Sequence, residues 1–294
     1  MILVTGASGL NGRELLHRLS ARGVPVRALV RSAARAAGLA SLLPRVKIVE
    51  GDMARPETLA GPLRGVERAM LISSSEPAMV EVQSSFIAAA RKAGVKHVVK
   101  LSGIMPGLDS PFRFARMHGE IERRLEASGM AFTHLRPGEF MATYFRQAPA
   151  IVAKGALFLP MADATIASID VGDIAEVAAT VLTGSGHEGK SYPLTGPEAL
   201  TMAEVAQKLS AATGKQIRYV DVAPEEARQA QLAAGVPPFM ADALAELFAE
   251  RRKGAESTVS PLVPMLLGRT ATSFDDFARR HAAIFRGEQP PPKI

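Results

Sequence analysis

The sequence has 294 residues and is 47% hydrophobic, which is enough apolar material for one large domain or two closely associated ones. It contains no cysteine, so disulfide bonds, thiolate zinc sites and a cysteine nucleophile are excluded. Its six histidines include no close pair of metal-ligand spacing, and we predict no metal site. No apolar run is long enough for a signal peptide or a membrane span, so we expect a soluble, cytoplasmic protein with no membrane partner.

The net charge of +6 is concentrated near the beginning of the chain. Residues 1–50 contain eight lysines and arginines against Glu14 and Glu50, which accounts for the whole excess. The sequence has no stripe of basic residues interleaved with aromatic ones, the pattern that a nucleic-acid groove needs. We therefore predict no nucleic-acid partner and place the positive charge beside a small anionic ligand.

The first thirty residues have the pattern of a β-α-β unit. The apolar run 2–4 precedes a glycine-rich turn at 5–12, an amphipathic helical pattern follows it, and a second apolar run covers 24–30. Gly6 permits a tight turn, Gly9 lets a pyrophosphate approach the backbone, and Gly12 lets the helix pack close to the sheet. The alternative is a glycine turn without a ligand. We predict that this turn binds a dinucleotide through Gly6, Ser8, Gly9, Leu10, Asn11 and Gly12.

The end of the second strand indicates which dinucleotide is bound. An NAD site usually has an acidic residue there, but no Asp or Glu occurs between Glu14 and Glu50. Arg31 follows the strand, and its planar guanidinium suits the 2′-phosphate of NADP(H). We predict that Arg31, with Ser32 and Arg35, selects NADPH; the alternative is a solvated arginine at a strand end.

The same alternation of strands and helices continues to about residue 137. The predicted strands are 46–50, 68–72, 97–101 and 132–135, and the predicted helices are 56–63, 80–93 and 111–128. This pattern predicts an α/β fold of the Rossmann type, with a doubly wound parallel sheet. Ligands of such sheets bind beyond the carboxyl ends of the strands. The residues that the cofactor would meet at this edge, although they also suit ordinary loops, are Asp52, Met53, Ile72, Ser73, Ser74, Ser102 and Pro137.

The pattern changes after Gly138. We assign residues 1–137 to an NADP(H)-binding domain and 138–294 to a smaller, mostly helical substrate-binding part, with segments around 166–195 returning to the Rossmann sheet. The elements predicted in the second part are helices at 141–153, 201–213 and 273–285, a helix from about 170 to 182, strands at 155–160, 190–195 and 217–222, and a loop at 254–272.

Several motifs resemble those of the atypical short-chain dehydrogenase/reductases, in their NmrA-like branch. They are Thr5–Gly12, Leu29–Arg31, Gly51–Asp52, Val95–Ser102, His118–Glu122, Thr133–Pro137, Asp170–Ile174 and Tyr192–Gly196. The resemblance runs nearly from end to end. It implies a fold that binds NADP(H) and two types of member, namely NADPH-dependent quinone, azo-dye and triphenylmethane-dye reductases and NADP-sensing regulators without catalysis.

One departure from the family pattern concerns the proton donor. Ordinary members carry Tyr-x-x-x-Lys on the helix after the fifth strand, and the matching positions here are Phe114 and His118. Phe114 has no exchangeable proton. His118 lies on the apolar stripe of its helix and would face the sheet, where its unperturbed pKa near 6.5 suits proton donation. The resemblance gives His118 contact with the cofactor or substrate; the alternative is a structural, half-buried histidine.

These observations predict an NADPH-dependent oxidoreductase that transfers hydride to a conjugated, electron-poor acceptor such as a quinone, an imine or iminium, or a dye. His118 and Ser102 are the predicted catalytic residues, and either Lys100 or Leu101 faces the cofactor. The substrate is expected to be small, hydrophobic and aromatic or conjugated, and the protein to be a monomer or homodimer. The alternative is a non-catalytic NADP(H)-sensing regulator that acts through a protein partner. The predicted pocket lining is Met105, Phe140, Met141, Tyr144, Phe145, Phe239 and Met240.

Overall fold

A computed structural model describes residues 1–36, 39 and 45–292. Its strands are β1 (Ile2–Val4), β2 (Val26–Val30), β3 (Val46–Glu50), β4 (Arg68–Leu71), β5 (His97–Leu101), β6 (Ala131–Pro137), β7 (Ala156–Leu159), β8 (Thr165–Ile166), β9 (Lys190–Leu194), β10 (Leu200–Thr201) and β11 (Arg218–Asp221). Its α-helices are α1 (Leu10–Ala21), α2 (Ala60–Leu63), α3 (Met79–Lys92), α4 (Arg113–Glu126), α5 (Ala148–Lys154), α6 (Val171–Thr183), α7 (Met202–Thr213), α8 (Pro224–Ala233), α9 (Pro238–Arg252), α10 (Leu262–Leu267), α11 (Phe274–Arg280) and α12 (Ala282–Arg286). Short 3₁₀ helices cover Ala33–Ala36, Pro56–Leu59 and Met141–Gln147.

The central sheet has seven strands in the order β3-β2-β1-β4-β5-β6-β9. The strands β1 to β6 pair in parallel, and their inner members are almost continuously apolar because helices cover such a sheet on both faces. The order reverses at β1, so the carboxyl ends of β1 and β4 flank a crevice of the kind in which dinucleotides bind. The predicted doubly wound α/β fold is confirmed.

The chain divides into two compact units. The first comprises Met1–Ser110, Phe114–Pro137 and Val171–Pro193, and the second comprises Pro111–Arg113, Gly138–Asp170 and Leu194–Ile294. In the first unit α6 packs against α1, where Arg18 and Arg22 both form ion pairs with Glu176. A helix from the later part of the sequence therefore completes the layer that supports the glycine-rich turn.

The second unit contains two small sheets and an aromatic core. β7 pairs in parallel with β11, and β8 pairs antiparallel with β10. Phe145 packs against Phe277 and Phe285, with ring centroids 5.3 Å and 5.8 Å away. These contacts draw the last two helices onto the 3₁₀ helix Met141–Gln147.

Several element predictions differ from the structure. The helix predicted over 141–153 begins as a 3₁₀ turn, and α5 starts only at Ala148 because Pro149 in its first turn has no N–H to continue a preceding helix. The single helix predicted over 273–285 is two helices that meet at His281, a break that lets Phe277 and Phe285 both reach Phe145. The loop predicted over 254–272 contains α10. No helix among the described residues is both long and apolar enough to cross a bilayer.

Candidate functional site

The glycine-rich turn has a backbone that larger residues could not adopt. Gly6 has φ +59°, and a Cβ there would lie 2.9 Å from Cγ2 of Ile72. A Cβ on Gly12 would lie only 2.2 Å from the carbonyl oxygen of Gly6. Thr5 fastens the turn to the end of β4, because its Oγ1 donates to the carbonyl of Ile72 and accepts from the Ile72 N–H, both at 2.7 Å. The turn is therefore held in one shape by steric and hydrogen-bonding constraints.

The N-terminus of α1 is open to an anion. Gly9 occupies the N-cap position, and no side chain caps the helix there. The first N–H groups of the helix are therefore available to a ligand, and the absence of a Cβ on Gly9 leaves the backbone accessible. Ser8 is exposed and Leu10 half-buried on the same turn. Oδ1 of Asn11 is buried and has no hydrogen-bond partner among the described residues. These features fit the pyrophosphate of a dinucleotide.

Arg31 lies at the edge where the 2′-phosphate was predicted. It is exposed and directly follows β2, and half-buried Ser32 comes next. The N–H of Gly51 donates to the carbonyl of Val30 at 3.0 Å, so the ends of β2 and β3 remain side by side. The side chain of Arg35 lies outside the described residues.

The acidic residue after β3 is engaged in its own turn. One carboxylate oxygen of Asp52 accepts from the N–H of Ala54 at 3.0 Å, and the other lies 3.4 Å from Nε of Arg55. The carboxylate of Asp52 therefore stabilises its own loop. The neighbouring Met53 is half-buried, and its side chain could make an apolar contact with a ligand.

The loop after β4 begins with Ser73 and Ser74. Nε2 of Gln83 on α3 donates to Oγ of Ser73 at 2.8 Å, and Ser74 is exposed. Ile72, Ser73 and Ser74 thus lie next to the glycine turn through the Thr5 bridge.

A buried polar cluster lies at the carboxyl end of β5. Lys100 has no exposed surface, and its Nζ donates to Oγ of Ser102 at 3.0 Å and to Nδ1 of His118 at 2.8 Å. Ser102 is itself buried, and its N–H donates to the carbonyl of Leu135 on β6 at 2.7 Å. Lys100 therefore points to the side of β5 on which His118 lies.

An ion pair between Arg136 and Glu122 lies next to this cluster. Arg136 on β6 donates through Nε and Nη2 to both carboxylate oxygens of Glu122, at 3.1 Å and 2.6 Å. Glu122 is buried, yet its pKa is lowered: burial alone would raise it, but the Arg136 hydrogen bond, the nearby His134 and a hydrogen bond from Ser102 outweigh that effect. A stable negative charge therefore lies close to Lys100.

The same surroundings make Lys100 a group that titrates near neutrality. Burial lowers its pKa to about 7, partly offset by the attraction of Glu122 and reinforced by the repulsion of Arg136. The pKa of His118 is lowered well below its usual value, first by burial and then by the charge of Lys100. His118 is therefore a neutral imidazole at pH 7. Its pKa therefore lies below the unperturbed value cited in the sequence analysis, chiefly because the imidazole is buried and also because the charge of Lys100 disfavours a second positive charge beside it.

The hydrogen bond from Lys100 also fixes the tautomer of His118. When Lys100 is protonated its ammonium group can only donate, so Nδ1 of His118 accepts and the ring proton resides on Nε2. Gly103 gives the ring room, since a Cβ there would lie 3.0 Å from Cδ2 of His118. Phe114, four residues earlier on α4, is buried. The one donor that this cluster can offer to a substrate from the imidazole is therefore Nε2–H.

The sequence analysis left Lys100 undecided against Leu101 and missed Glu122 and Arg136 as parts of the site. A signal for each was present. Glu122 lies one helical turn after His118, and Arg136 precedes Pro137 at the end of β6. What the sequence lacked was the pairing of β5 with β6, which sets Lys100 opposite His134 and brings these charges together.

Three residues of the predicted pocket lining are buried in the second unit or contact another side chain. Met141 and Phe145 are core residues of the second unit, with 1% and 3% of their surfaces exposed. Phe239 lies under the guanidinium of Arg113, which is 4.9 Å from the ring centroid. These side chains therefore pack against the protein itself, although the apolar pattern of the sequence had suggested that they contact a ligand.

Comparison with known proteins places this geometry in a family. Residues 1–265 match the model of the NmrA-like family. The chain is 41% identical to the NAD(P)H azoreductase of Xenophilus azovorans over 285 residues, which cover 97% of this chain and 99% of the relative.

Two solved structures are similar over nearly the whole chain. The NADPH-dependent quinone oxidoreductase of Escherichia coli, complexed with NADPH, superposes with a TM-score of 0.88 at 32% identity and covers 95% of this chain and 99% of that one. The triphenylmethane reductase of Citrobacter sp., complexed with NADP(H), has a TM-score of 0.86 at 28% identity, covering 96% and 100%. The predicted resemblance is confirmed, and this chain belongs to the NmrA-like family.

Proposed function

We propose that this protein is an NADPH-dependent reductase that passes hydride to a conjugated, electron-poor acceptor: a quinone, an imine or iminium, or a dye. The azoreductase, quinone oxidoreductase and triphenylmethane reductase among its relatives support that class of acceptor. The bound NADPH supplies the hydride. The chain binds its pyrophosphate at Gly6–Gly12 and its 2′-phosphate at Arg31, and the carboxyl edge of the sheet orients it.

The observation that carries the proposal is the 2.8 Å hydrogen bond from Nζ of Lys100 to Nδ1 of His118. Hydride addition to a neutral acceptor such as a quinone, an imine or an azo dye leaves a negative charge on its heteroatom, which must then gain a proton. An iminium or a cationic triphenylmethane dye becomes neutral when it takes up hydride and needs no proton. Nε2–H of His118 donates the proton that a neutral acceptor needs, and Lys100 replaces it at Nδ1. The imidazole ends neutral in its other tautomer and Lys100 ends as a neutral amine, so the charge balances without a tyrosine hydroxyl.

The proposal also explains how the protein would transfer a proton without the tyrosine of the family pattern. Phe114 and His118 stand where the family pattern has Tyr and Lys, and the Lys100–His118 pair takes over the proton transfer. Conjugated acceptors need little acid assistance before hydride arrives, because the added charge is delocalised. We also propose a cytoplasmic location and a monomeric or homodimeric state, the latter to be measured by light scattering.

The first test is the oxidation of NADPH, followed by its absorbance, against quinones, azo and triphenylmethane dyes and cyclic imines, with NADH in parallel. Turnover with NADPH and little with NADH supports the proposal. Tight NADPH binding without turnover of any acceptor contradicts it and favours the NADP(H)-sensing alternative.

The second test is His118→Asn, with His17→Asn as control because His17 is an exposed histidine on α1. With a quinone, which must gain a proton, loss of the positioned donor should lower kcat by about 100-fold, while NADPH affinity changes little. The control should behave like the unaltered protein. Unchanged turnover in His118→Asn would show that His118 is structural.

A further inference from the structure

The charge of Lys100 lies one imidazole ring away from the place where the proposed reaction puts its acceptor. Nζ of Lys100 donates to Nδ1 of His118 at 2.8 Å, and the acceptor would take its proton from Nε2 on the far side of that ring. His118 is half-buried, and its Nε2 has no hydrogen-bond partner among the described residues yet keeps some accessible surface, so a ligand can reach it. We propose that Lys100 selects the charge class of the acceptor: as an ammonium it favours neutral acceptors that must gain a proton, and as an amine it favours cationic acceptors that need none. This selection rests on the proposed function.

The two classes of acceptor differ in their need for a proton. A quinone that takes up hydride from NADPH carries a negative charge on an oxygen, and Nε2–H of His118 neutralises it while Lys100 passes its own proton to Nδ1. A cationic triphenylmethane dye takes up hydride at its central carbon, where a C–H bond forms and the positive charge disappears. NADPH becomes NADP+ in both reactions, so only the acceptor distinguishes them. Lys100 therefore supplies a proton in the first reaction and none in the second.

The same ammonium group also acts on the acceptor through its charge. With a hydrogen bond of about 2.9 Å at Nε2 of His118, the bound heteroatom lies within roughly 8 Å of Nζ of Lys100. Lys100 has no exposed surface, so water does not surround its charge. A unit charge at that distance changes the stability of a nearby charged group by about tenfold in an equilibrium constant. The ammonium would stabilise the oxyanion formed from a quinone and repel a cationic dye.

The charges that face Lys100 from α4 and β6 stay constant near neutrality. Both carboxylate oxygens of Glu122 accept hydrogen bonds from Arg136, so the charges of this pair largely cancel. Burial and the charge of Lys100 hold the pKa of His118 well below its usual value. Burial also lowers the pKa of His134, which lies opposite Lys100 on β6. Both imidazoles are therefore mainly neutral around pH 7.

The other elements around Lys100 leave it as the group of this cluster whose charge changes near neutrality. Glu126 reaches the cluster only through its 3.0 Å hydrogen bond with His134, and β4 places the apolar Leu71 opposite Lys100. The helix α6 also packs against β5, but none of its acidic residues is among the charges that shift the pKa of Lys100. Burial lowers that pKa to about 7, so Lys100 is mostly charged at pH 6 and mostly neutral at pH 8.5.

The test compares two acceptors on the unaltered protein: duroquinone, which is neutral, and crystal violet, which is a permanent cation. The ratio of their kcat/KM values is measured with saturating NADPH from pH 6 to pH 8.5. The pH dependence of NADPH binding is common to both acceptors and cancels in this ratio. Lys100→Met removes the charge at every pH, and Lys96→Met, which removes an exposed lysine just before β5, is the matched control. Urea unfolding checks that both variants fold.

We expect the ratio of duroquinone to crystal violet to fall by about tenfold or more from pH 6 to pH 8.5 in the unaltered protein and in Lys96→Met. In Lys100→Met the ratio should be low and should not vary with pH. Its kcat/KM for crystal violet at pH 6 should be about fivefold higher than that of the unaltered protein, because the repulsion is lost.

A ratio that stays constant or rises with pH in the unaltered protein would overturn the selection by Lys100 and leave the proposed function intact. The same holds for a ratio that falls equally in Lys100→Met, and for turnover of just one of the two acceptors at every pH. Turnover of neither acceptor would overturn the proposed function, and the selection with it.

Discussion

Replacing Lys100 by methionine should stabilise the protein at low pH. Lys100 is completely buried, and burial lowers its pKa from 10.5 to about 7. At 1.36 kcal/mol per pKa unit, this shift means that folding destabilises the charged form of Lys100 by about 5 kcal/mol relative to the neutral form. Methionine has a similar length and no charge, so Lys100→Met should raise the free energy of unfolding by about 5 kcal/mol at pH 6.

The stability gain of Lys100→Met over the unaltered protein should shrink as the pH rises. Between about pH 7 and pH 10.5 the unfolded chain holds the Lys100 proton and the folded one does not, so the stability of the unaltered protein rises with pH. The difference between it and Lys100→Met should fall by about 1.4 kcal/mol per pH unit and reach about 1 kcal/mol at pH 10. Removing Lys100 also raises the pKa of His118 and of His134, because its charge lowers both. Burial still lowers the pKa of both imidazoles in Lys100→Met, so above pH 7 the difference between the two proteins comes mainly from Lys100 itself.

Urea unfolding at intervals from pH 6 to pH 10 measures this difference. Lys96→Met is the control, because Lys96 is exposed just before β5 and should show no pH-dependent gain. A constant difference between the unaltered protein and Lys100→Met across the range would refute a lowered pKa. A loss of stability at pH 6 would show that the hydrogen bonds to Ser102 and His118 outweigh the burial of the charge.

Three further changes test other parts of the site. Arg31→Ala should raise the Kd for NADPH by about tenfold or more and leave NADH binding unchanged, because a charge-assisted hydrogen bond to phosphate is lost; equal effects on both, by fluorescence titration, would contradict the NADP(H) assignment. Gly12→Ala should cost about 2 kcal/mol in urea unfolding, since its Cβ would lie 2.2 Å from the Gly6 oxygen, whereas Gly61→Ala has no atom within 4 Å and should be neutral. Glu122→Gln should move the decline of turnover with rising pH to below about pH 7, because Glu122 raises the pKa of Lys100; an unmoved pH profile would separate Lys100 from the proton transfer.

The dinucleotide turn could be predicted from local sequence because its physics is local. Gly6 must adopt a positive φ, Gly12 must approach the Gly6 carbonyl, and an apolar strand and an amphipathic helix flank them. None of these requirements depends on a residue far along the chain. The doubly wound parallel sheet followed from the regular alternation of strands and helices, and the family followed from the resemblance of its motifs.

The cluster around Lys100 could not be predicted in this way. Lys100, His118, Glu122 and Arg136 come from two strands and one helix, and their pKa values depend on burial and on each other. The sequence placed His118 on the inner face of its helix. It did not show that the imidazole is buried with a lysine 2.8 Å away, which together lower the pKa of His118.

The later half of the chain was the least predictable. The apolar spacing made Met141 and Phe145 candidates for the lining of a pocket. That spacing does not distinguish the wall of a ligand pocket from the packed core of the protein. The contacts of Phe145 with Phe277 and Phe285, which are more than 130 residues away, decide that they belong to the core.

The sequence by itself determined the α/β class, the glycine turn, the position of Arg31 and the absence of a tyrosine at position 114, because each depends on residue type and short-range period. Tertiary structure alone decided which charged and hydrogen-bonding side chains lie close together. Burial of Lys100 beside Glu122 and His118, and the clamping of Arg251 by Glu139 and Glu256, arise when distant segments pack and exclude water. Electrostatic interactions strengthen as water is excluded, so only the folded chain sets them.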